Sequence, residues 1–495
     1  MTKYDPNGGF IMKHIGRSAV FIGSFLLALI CYAVILHMPY FADDYTFYFV
    51  KGSINPLSLL YSINPHEPTF FRPIEAAYKA TVQYFFGMDT LLVHLANILL
   101  HGAIGYHIYD AMMRLRLGKG QALAAGALFV VAQAASGGVA RSCTMAQLMS
   151  CLGSIWFLKA LYFSEEDGWL ERLKIGALFF LALISKETSL FLMFSAALLL
   201  LVRELQSGKR FWQSVGRAFI GSLPYIALTI AYLLIRMALG LSLTGTQSGA
   251  SMQLGLGVVK NFLMLWVSAI NPLPTALVYK ALTLRQWGLL GAMAAGMLII
   301  FLPALIGLIK SNQKPLIGVL LLLMAVSCFP AAAVGHVSDL YGYNLIPFVC
   351  MLMVIGYFAL CDGQKFMMRM AVCALTLLII SNAASAQYNL YKMHRNADRT
   401  QALLSQLRPI VSELTDDDKL VMVDTQKSEQ RYSYGLIYMT DVQMLRGGVL
   451  QSYLDPSRPI KLDYARKLPD ELSDEDGSNP HLYTSIDGQI VRYQH

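Results

Sequence analysis

Two adjacent carboxylates, Asp43 and Asp44, stand in Pro39-Tyr-Phe-Ala-Asp-Asp-Tyr45, a few residues past the first long apolar run. Beside a bilayer, two neighbouring carboxylates flanked by aromatic rings cannot both be discharged cheaply. Such a place suits a carboxylate of tuned proton affinity, the kind of general base that activates a sugar hydroxyl. The same pair also fits a helix cap or a plain boundary charge. Arg72, in Thr69-Phe-Phe-Arg72-Pro73, is pinned by proline just above the apolar level and suits bidentate contact with a phosphate. A snorkelling side chain on an interfacial helix accounts for it equally well.

Two further clusters carry polar chemistry. Ser185-Lys186-Glu187-Thr188 interrupts an apolar run. Lys186 can neutralise a lipid phosphate while Glu187 orients it or another base; alternatively the two pair with each other across the turn. The stretch from Gly335 to Asn344 holds His336, Asp339, Tyr341, Tyr343 and Asn344, a hydrogen-bonding surface for a sugar or a pyrophosphate-like head. An interfacial tyrosine belt explains its tyrosines but not His336 and Asp339. His94, Asn97 and His101 recur at i, i+3 and i+7 and so share one helix face. They lack the extra carboxylate or cysteine of a metal site, and interhelical hydrogen bonding is their expected role.

The elements that hold these residues follow from composition. Of 495 residues, 56% are hydrophobic and 14% charged, against about 25% charged in soluble domains. Residues 1–386 carry 26 basic and 15 acidic side chains, whereas 387–495 carry 13 and 16. A long stretch so poor in acids is a polytopic membrane domain followed by a separate polar tail. A soluble enzyme, a disulfide scaffold and a disordered chain are excluded. The net charge of +8 comes from short basic clusters between apolar runs, not from a nucleic-acid-binding face.

A spanning helix needs about 20 apolar residues. Candidate spans are Arg17–Met38, Met88–Ile108, Gln121–Val139, Met145–Phe163, Ile175–Ile184, Thr188–Val202, Ala218–Leu239, Gly288–Ile309, Leu316–Val334, Leu345–Leu360 and Ala371–Ala386. Basic clusters fall in every second loop, from Lys3, Lys13 and Arg17 through Arg114, Arg116 and Lys119 to Lys365 and Arg369. The positive-inside rule then places the amino terminus in the cytoplasm and the tail outside. Val258–Trp287 is apolar enough to cross, but one crossing there would invert every later loop. Its Asn271-Pro272-Leu273-Pro274 break marks a re-entrant or interfacial helix pair instead.

The first apolar run is too long for a cleavable signal, and no Asn-x-Ser/Thr sequon occurs, as fits a bacterial chain in the inner (plasma) membrane. All seven cysteines lie in or beside apolar runs, so disulfides do not staple the outer parts. The expected organisation is a cytoplasmic segment 1–16, a transmembrane domain 17–386 with a first outer loop 39–87, and an extracytoplasmic domain 387–495. In the tail a helix over Arg399–Leu414, a strand over Lys419–Asp424 and a hairpin turning at Asp487-Gly488 predict a small α/β module. The acidic run Asp470–Asp476 reads as a solvated loop. On the outer side of the membrane domain the acids are Asp43, Asp44, Glu67, Glu75, Asp89, Glu187 and Asp339, and a general base there must come from these.

In order, these pieces are an acidic pair in the first outer loop, an Arg-Pro step and a His-x-x-Asn-x-x-x-His helix, then a Lys-Glu junction and a tyrosine-rich late loop. Over roughly residues 20 to 390 this series resembles the GT-C glycosyltransferases, near the bacterial relatives of protein O-mannosyltransferases and the aminoarabinose transferases. The late loop departs from the pattern, with Asp339-Leu340-Tyr341 where many relatives carry an Arg-Tyr pair. The resemblance implies an all-α, GT-C-like membrane domain of about eleven helices and inverting transfer of a hexosyl or pentosyl group. The donor would be a polyprenyl-phosphate sugar, and the acceptor lipopolysaccharide, cell-wall glycan, glycolipid or protein on the outer face. The acid of the first loop would act as base. It requires no cofactor; some relatives use a divalent metal, and no ligand cluster here demands one. A flippase or transporter of lipid-linked sugars is the competing class, but no internal repeat is seen. An O-antigen polymerase or ligase would place its large outer loop late and basic, whereas here it comes first and acidic.

Overall fold

In the computed structural model the described residues are 16–42, 44, 55–63, 70–87, 89–164, 168–241, 255–333, 338–361, 365–415, 418–425, 439–445, 461–465 and 479–493. Asp43, Glu67, His336 and the acidic run Asp470–Asp476 lie outside them.

The chain begins with α1 (Arg17–Tyr32), then α2 (Pro73–Phe86), α3 (Leu91–Arg114), α4 (Lys119–Val131), the short α5 (Ser136–Ala140) and α6 (Met145–Phe163). It continues through α7 (Trp169–Ser185), α8 (Phe191–Gln206), α9 (Phe211–Ala238), α10 (Leu256–Ile270), α11 (Thr275–Thr283), α12 (Trp287–Lys310), α13 (Lys314–Ala332), α14 (Ile346–Ala359) and α15 (Lys365–Glu413). Among the described residues nine helices are long and apolar enough to cross a membrane, and the bent segment α4–α5 makes a tenth. The remaining expected span falls on α7, whose 17 residues reach about 25 Å. Along α1, α9 and α12 large apolar side chains such as Ile30, Ile220 and Ile299 stand exposed. Water would not tolerate such faces, but lipid does. The chain is an integral, multi-pass membrane protein with α14 at its centre, buried from Ile346 to Tyr357. There a Cβ on Gly307 would strike the Gly356 carbonyl, and one on Gly356 the Ala304 carbonyl, so α12 and α14 meet backbone to backbone.

Two departures from the expected spans matter for the site. The span over Gln121–Val139 is not straight: α4 ends at Val131 and the chain bends by 46° into residues 133–140. The last span does not stop near Ala386; α15 runs 49 residues without a break, so the tail helix over Arg399–Leu414 is its continuation. In the tail, β1 (Asp418–Val423) is joined by α16 (Asp441–Met444), β2 (Lys461–Ala465), β3 (Asn479–Ile486) and β4 (Gln489–Arg492). Strand order is β2-β1-β3-β4, with β1 parallel to both neighbours and β3–β4 antiparallel. Asp487 and Gly488, at φ 51° and 84°, form the left-handed two-residue turn that the Asp-Gly pair foretells. β2 had no signal in the sequence reading.

The α10–α11 pair makes no net crossing. A cavity of about 390 Å³ is lined together by Leu115, Phe163, Gln206, Asn312 and Gln313, which puts the α12–α13 turn at the same end as the ends of α3, α6 and α8. At the other end Lys186, just before the turn into α8, faces Tyr341, shortly after α13. α13 therefore runs antiparallel to α8, as an even number of crossings between them requires. With the native cysteines replaced, single cysteines at Gln206 and Asn312 should react with an impermeant thiol reagent from one side and Ser62 from the other. Labelling of Asn312 and Ser62 from the same side would sink this topology.

Candidate functional site

The site end of the bundle is built where the backbone is least regular. Between α4 and α6 the chain leaves helical geometry at Ala132 and Arg141, and side chains of α3, α15 and the first loop satisfy it. Asn97 Nδ2 donates to the carbonyls of Val139 (3.1 Å) and Arg141 (2.8 Å). Asn382 Oδ1 accepts from the Gln133 N–H at 3.0 Å, and Asn389 Nδ2 donates to Gln133 Oε1. Gln133 Nε2 in turn donates to the Asn271 carbonyl at 3.0 Å, tying this segment to the break between α10 and α11. Irregular backbone at membrane depth persists only when protein groups satisfy it. The other two residues of the α3 face act likewise: His94 Nε2 donates to the Met38 carbonyl, and His101 Nε2 donates to that of Val130. The expected interhelical role of His94, Asn97 and His101 is the observed one.

Asp44 fastens the first loop onto this segment. It is 2% exposed, its Oδ1 accepts from the Cys143 N–H at 2.9 Å, and its Oδ2 accepts from the Phe41 N–H at 3.4 Å. Ala42 is held at φ 49°, a left-handed conformation costly for a residue with a Cβ. The strain sits one residue before Asp43.

Arg72 caps α2, with Pro73 in the first helical position, where a missing N–H costs nothing. Its guanidinium lies 4.1 Å from the Phe70 ring centre and donates twice to Glu187, at 2.6 and 3.3 Å. Glu187 thus pairs with Arg72, which removes the alternative of a mutual Lys186–Glu187 pair. Lys186 adopts extended backbone between α7 and a 3₁₀ turn over Glu187–Leu190. Its side chain is 5% exposed and its Nζ lies 5.9 Å from the Tyr341 ring centre, without hydrogen bond or ion pair to any described residue. Burial first, and Arg72 second, pull its ammonium down to about 8, while Glu187, Glu75 and the Cys143 thiol pull the other way. Lys186, Arg72, Glu187, Glu75 and the Asp44-bound Cys143 therefore share one electrostatic neighbourhood.

The late loop departs from the expected open surface. Asp339 is buried, accepting from Ser268 Oγ of α10. Tyr343 is fully buried, with His101 Nδ1 2.5 Å from its hydroxyl and its ring against Gly138. A 3₁₀ turn over Asp339–Leu345 aims these groups inward, Asp339 toward α10 and Tyr343 toward α3 and α5. Of the loop's described residues, Tyr341 is the one that faces Lys186. Asn344 accepts from Gln147 Nε2 at 3.0 Å, and Gln147 Oε1 accepts from Thr188, next to Glu187. The Asn344 Nδ2 at the end of that relay is buried without a partner, a donor left for something else. Sequence reasoning missed Gln133, Gln147, Asn382 and Asn389. Gln133 followed by Ala-Ala-Ser-Gly-Gly inside an apolar run was the available signal. No three His, Cys, Asp or Glu side chains among the described residues converge as metal ligands.

No family model and no curated protein matches the chain. Among solved structures it is similar to ArnT from Cupriavidus metallidurans bound to undecaprenyl phosphate, at a TM-score of 0.48 and 13% identity, covering 96% of this chain and 94% of that one. It is also similar to the Archaeoglobus fulgidus oligosaccharyltransferase AglB in complex with an inhibitory peptide and a dolichol-phosphate, at 0.42 and 10%, covering 88% and 65%. At those scores the likeness transfers no activity and no residue role.

The Arg72–Glu187 pair has a measurable signature. Glu187→Gln removes a counter-charge from a largely buried guanidinium and should cost about 2 kcal/mol, seen as a lower Tm in detergent. Arg72→Gln combined with Glu187→Gln should recover most of that loss. Additive losses in the double variant would show that the two do not act as a pair.

Proposed function

We propose that the chain transfers a sugar, with inversion, from a polyprenyl-phosphate donor to a hydroxyl-bearing acceptor on the outer face of the membrane. One observation carries this reading: Lys186, a buried ammonium without a counter-ion among the described residues, at the end of the bundle that holds Asp44. A buried charge with no partner costs several kcal/mol, and a bound anion removes that cost. A phosphate carried by a membrane lipid is the anion that reaches such a depth, and the order of motifs along the chain agrees. Arg72, held by Glu187, adds a second positive centre beside it, and Tyr341 walls the site.

In the proposed step, the acceptor oxygen attacks the anomeric carbon as the bond from that carbon to the phosphate oxygen breaks. The acceptor proton passes to a carboxylate of the first loop, and the electron pair leaves with polyprenyl phosphate, whose added charge Lys186 meets. Both oxygens of Asp44 already accept backbone N–H groups. Asp44 is therefore read as the residue that positions the loop, and Asp43 as the base. The acceptor, whether glycan, lipid or protein, is set by surfaces beyond these residues.

Purified protein supplied with a panel of undecaprenyl-phosphate sugars should release undecaprenyl phosphate from at least one; release from none would refute the reading. Asp43→Asn should lower turnover ~10²–10⁴-fold at unchanged Tm. Asp44→Asn presents an amide NH₂ to a backbone N–H and should lower stability by about 1–3 kcal/mol as well as turnover. A normal Tm with lost turnover in Asp44→Asn, beside an active Asp43→Asn, would exchange the two roles.

Lys186→Gln should weaken binding of undecaprenyl phosphate ~10- to 100-fold. In the wild type that affinity should be full below pH 8 and fall above it, as Lys186, pulled down to about 8, loses its proton in the unbound protein. In Lys186→Gln this fall should vanish. A wild-type profile flat from pH 7 to 9.5 would remove Lys186 from phosphate binding.

A further inference from the structure

One turn beyond Arg72, α2 carries a second ion pair that the proposed step does not use. Glu75 and Lys79 follow Arg72 at i+3 and i+7, on the face that meets Glu187. They are 2% and 3% exposed, and Lys79 Nζ donates to Glu75 Oε1 at 2.6 Å. The other carboxylate oxygen, Glu75 Oε2, is buried with no hydrogen-bond partner. Buried acceptors are almost always satisfied, and a vacant oxygen on a charged group is among the more costly exceptions. Glu75 also contributes to the electrostatic surroundings of Lys186.

The charges narrow what completes it. Glu75 already has the Lys79 ammonium as counter-charge on its other oxygen. Oε2 thus needs a donor but no additional cation. A neutral O–H fits, and a sugar whose phosphate lies on Lys186 brings several. We infer that Glu75 Oε2 accepts a hydrogen bond from a hydroxyl of the transferred sugar and so selects the donor. The inference rests on the reading of Lys186 as the phosphate site. Lys79 is then a positioning residue, holding the carboxylate by its other oxygen.

The test uses the full-length protein, undecaprenyl phosphate without sugar, and the best undecaprenyl-phosphate sugar with its monodeoxy analogues. Wild type should discriminate ~10- to 100-fold in kcat/KM against one deoxy analogue, the scale of one hydrogen bond to a charged group. Glu75→Gln with Lys79→Gln, which removes both charges together, should treat that analogue and the parent within about threefold of each other. It should still bind undecaprenyl phosphate within about twofold of wild type. Glu75→Asp, which keeps the charge but draws it back by one methylene, should also lose discrimination, and it serves where the double variant does not fold. Undiminished discrimination in either folded variant overturns the proposal, as does a wild type indifferent to every deoxy position. A parallel fall of phosphate binding and turnover would make the pair structural. A wild type that binds no undecaprenyl phosphate would instead bring down the phosphate reading, and this one with it.

Discussion

Between α4 and α6, residues 132–144 hold only the five-residue α5 between two 3₁₀ turns inside a membrane domain, and the need to satisfy their backbone organises the site end of the protein. In hydrocarbon an unpaired N–H or C=O costs several kcal/mol. Asn97 meets two of these carbonyls, Asn382 meets the Gln133 N–H, and Gln133 passes the demand on to the break at Asn271. One group in the segment, the Cys143 N–H, is met by Asp44. The link between scaffold and chemistry is made there, because the hydrogen bond that satisfies the bent segment also sets where the first loop begins. Asn382 and Asn389 sit on α15 and Asn97 on α3, so helices far apart in the chain are held by the same few amides.

Charge is arranged on the same economy. Of the buried ions around α2 and the α7–α8 junction, Arg72 has Glu187 and Glu75 has Lys79. The low dielectric that makes such pairs strong also makes a single unpaired ion costly. Among the described residues Lys186 is that ion, kept off Glu187 because Arg72 takes both carboxylate oxygens in a planar fork that an ammonium cannot match. An arginine at that place therefore leaves a lysine available, and exchanging the two types would not conserve the site.

The sequence made the apolar spans legible, because twenty-residue runs and alternating basic loops are long-range signals that no single contact can hide. The interfacial pair around Asn271 was legible for the same reason: a crossing there would have broken the charge pattern. The Asp-Gly hairpin and the helix face of His94, Asn97 and His101 were local enough to read. The bend at Ala132 was not, since alanine and glycine neither forbid a helix nor demand a bend, and the partners that stabilise it lie up to 256 residues away. For Glu187, proximity alone kept a pair with Lys186 open as an alternative. Lys186 is its neighbour in sequence, but extended backbone at Lys186 turns the two side chains apart and Arg72 arrives from 115 residues away. In the late loop, composition indicated polar groups but not their direction, and burial of Asp339 and Tyr343 followed from partners on α10 and α3.

The tail contributes to the site through helix ends. α1 finishes near Tyr32 and runs into a 3₁₀ turn, leaving carbonyls that the helix cannot satisfy. The side chains of α15 do it: Gln387 Nε2 donates to the Cys31 carbonyl and His394 Nδ1 to that of Val34. Because α15 does not break where it leaves the apolar run, those two contacts are rigidly continuous with Leu403, Leu404 and Leu407, which form the tail's core together with Tyr40. Tyr40 lies four residues before Asp44. The first loop is thus gripped on one side by the tail and on the other by Cys143, with the strained Ala42 between them. A loop held at two points so close together needs little further ordering when anything binds against it.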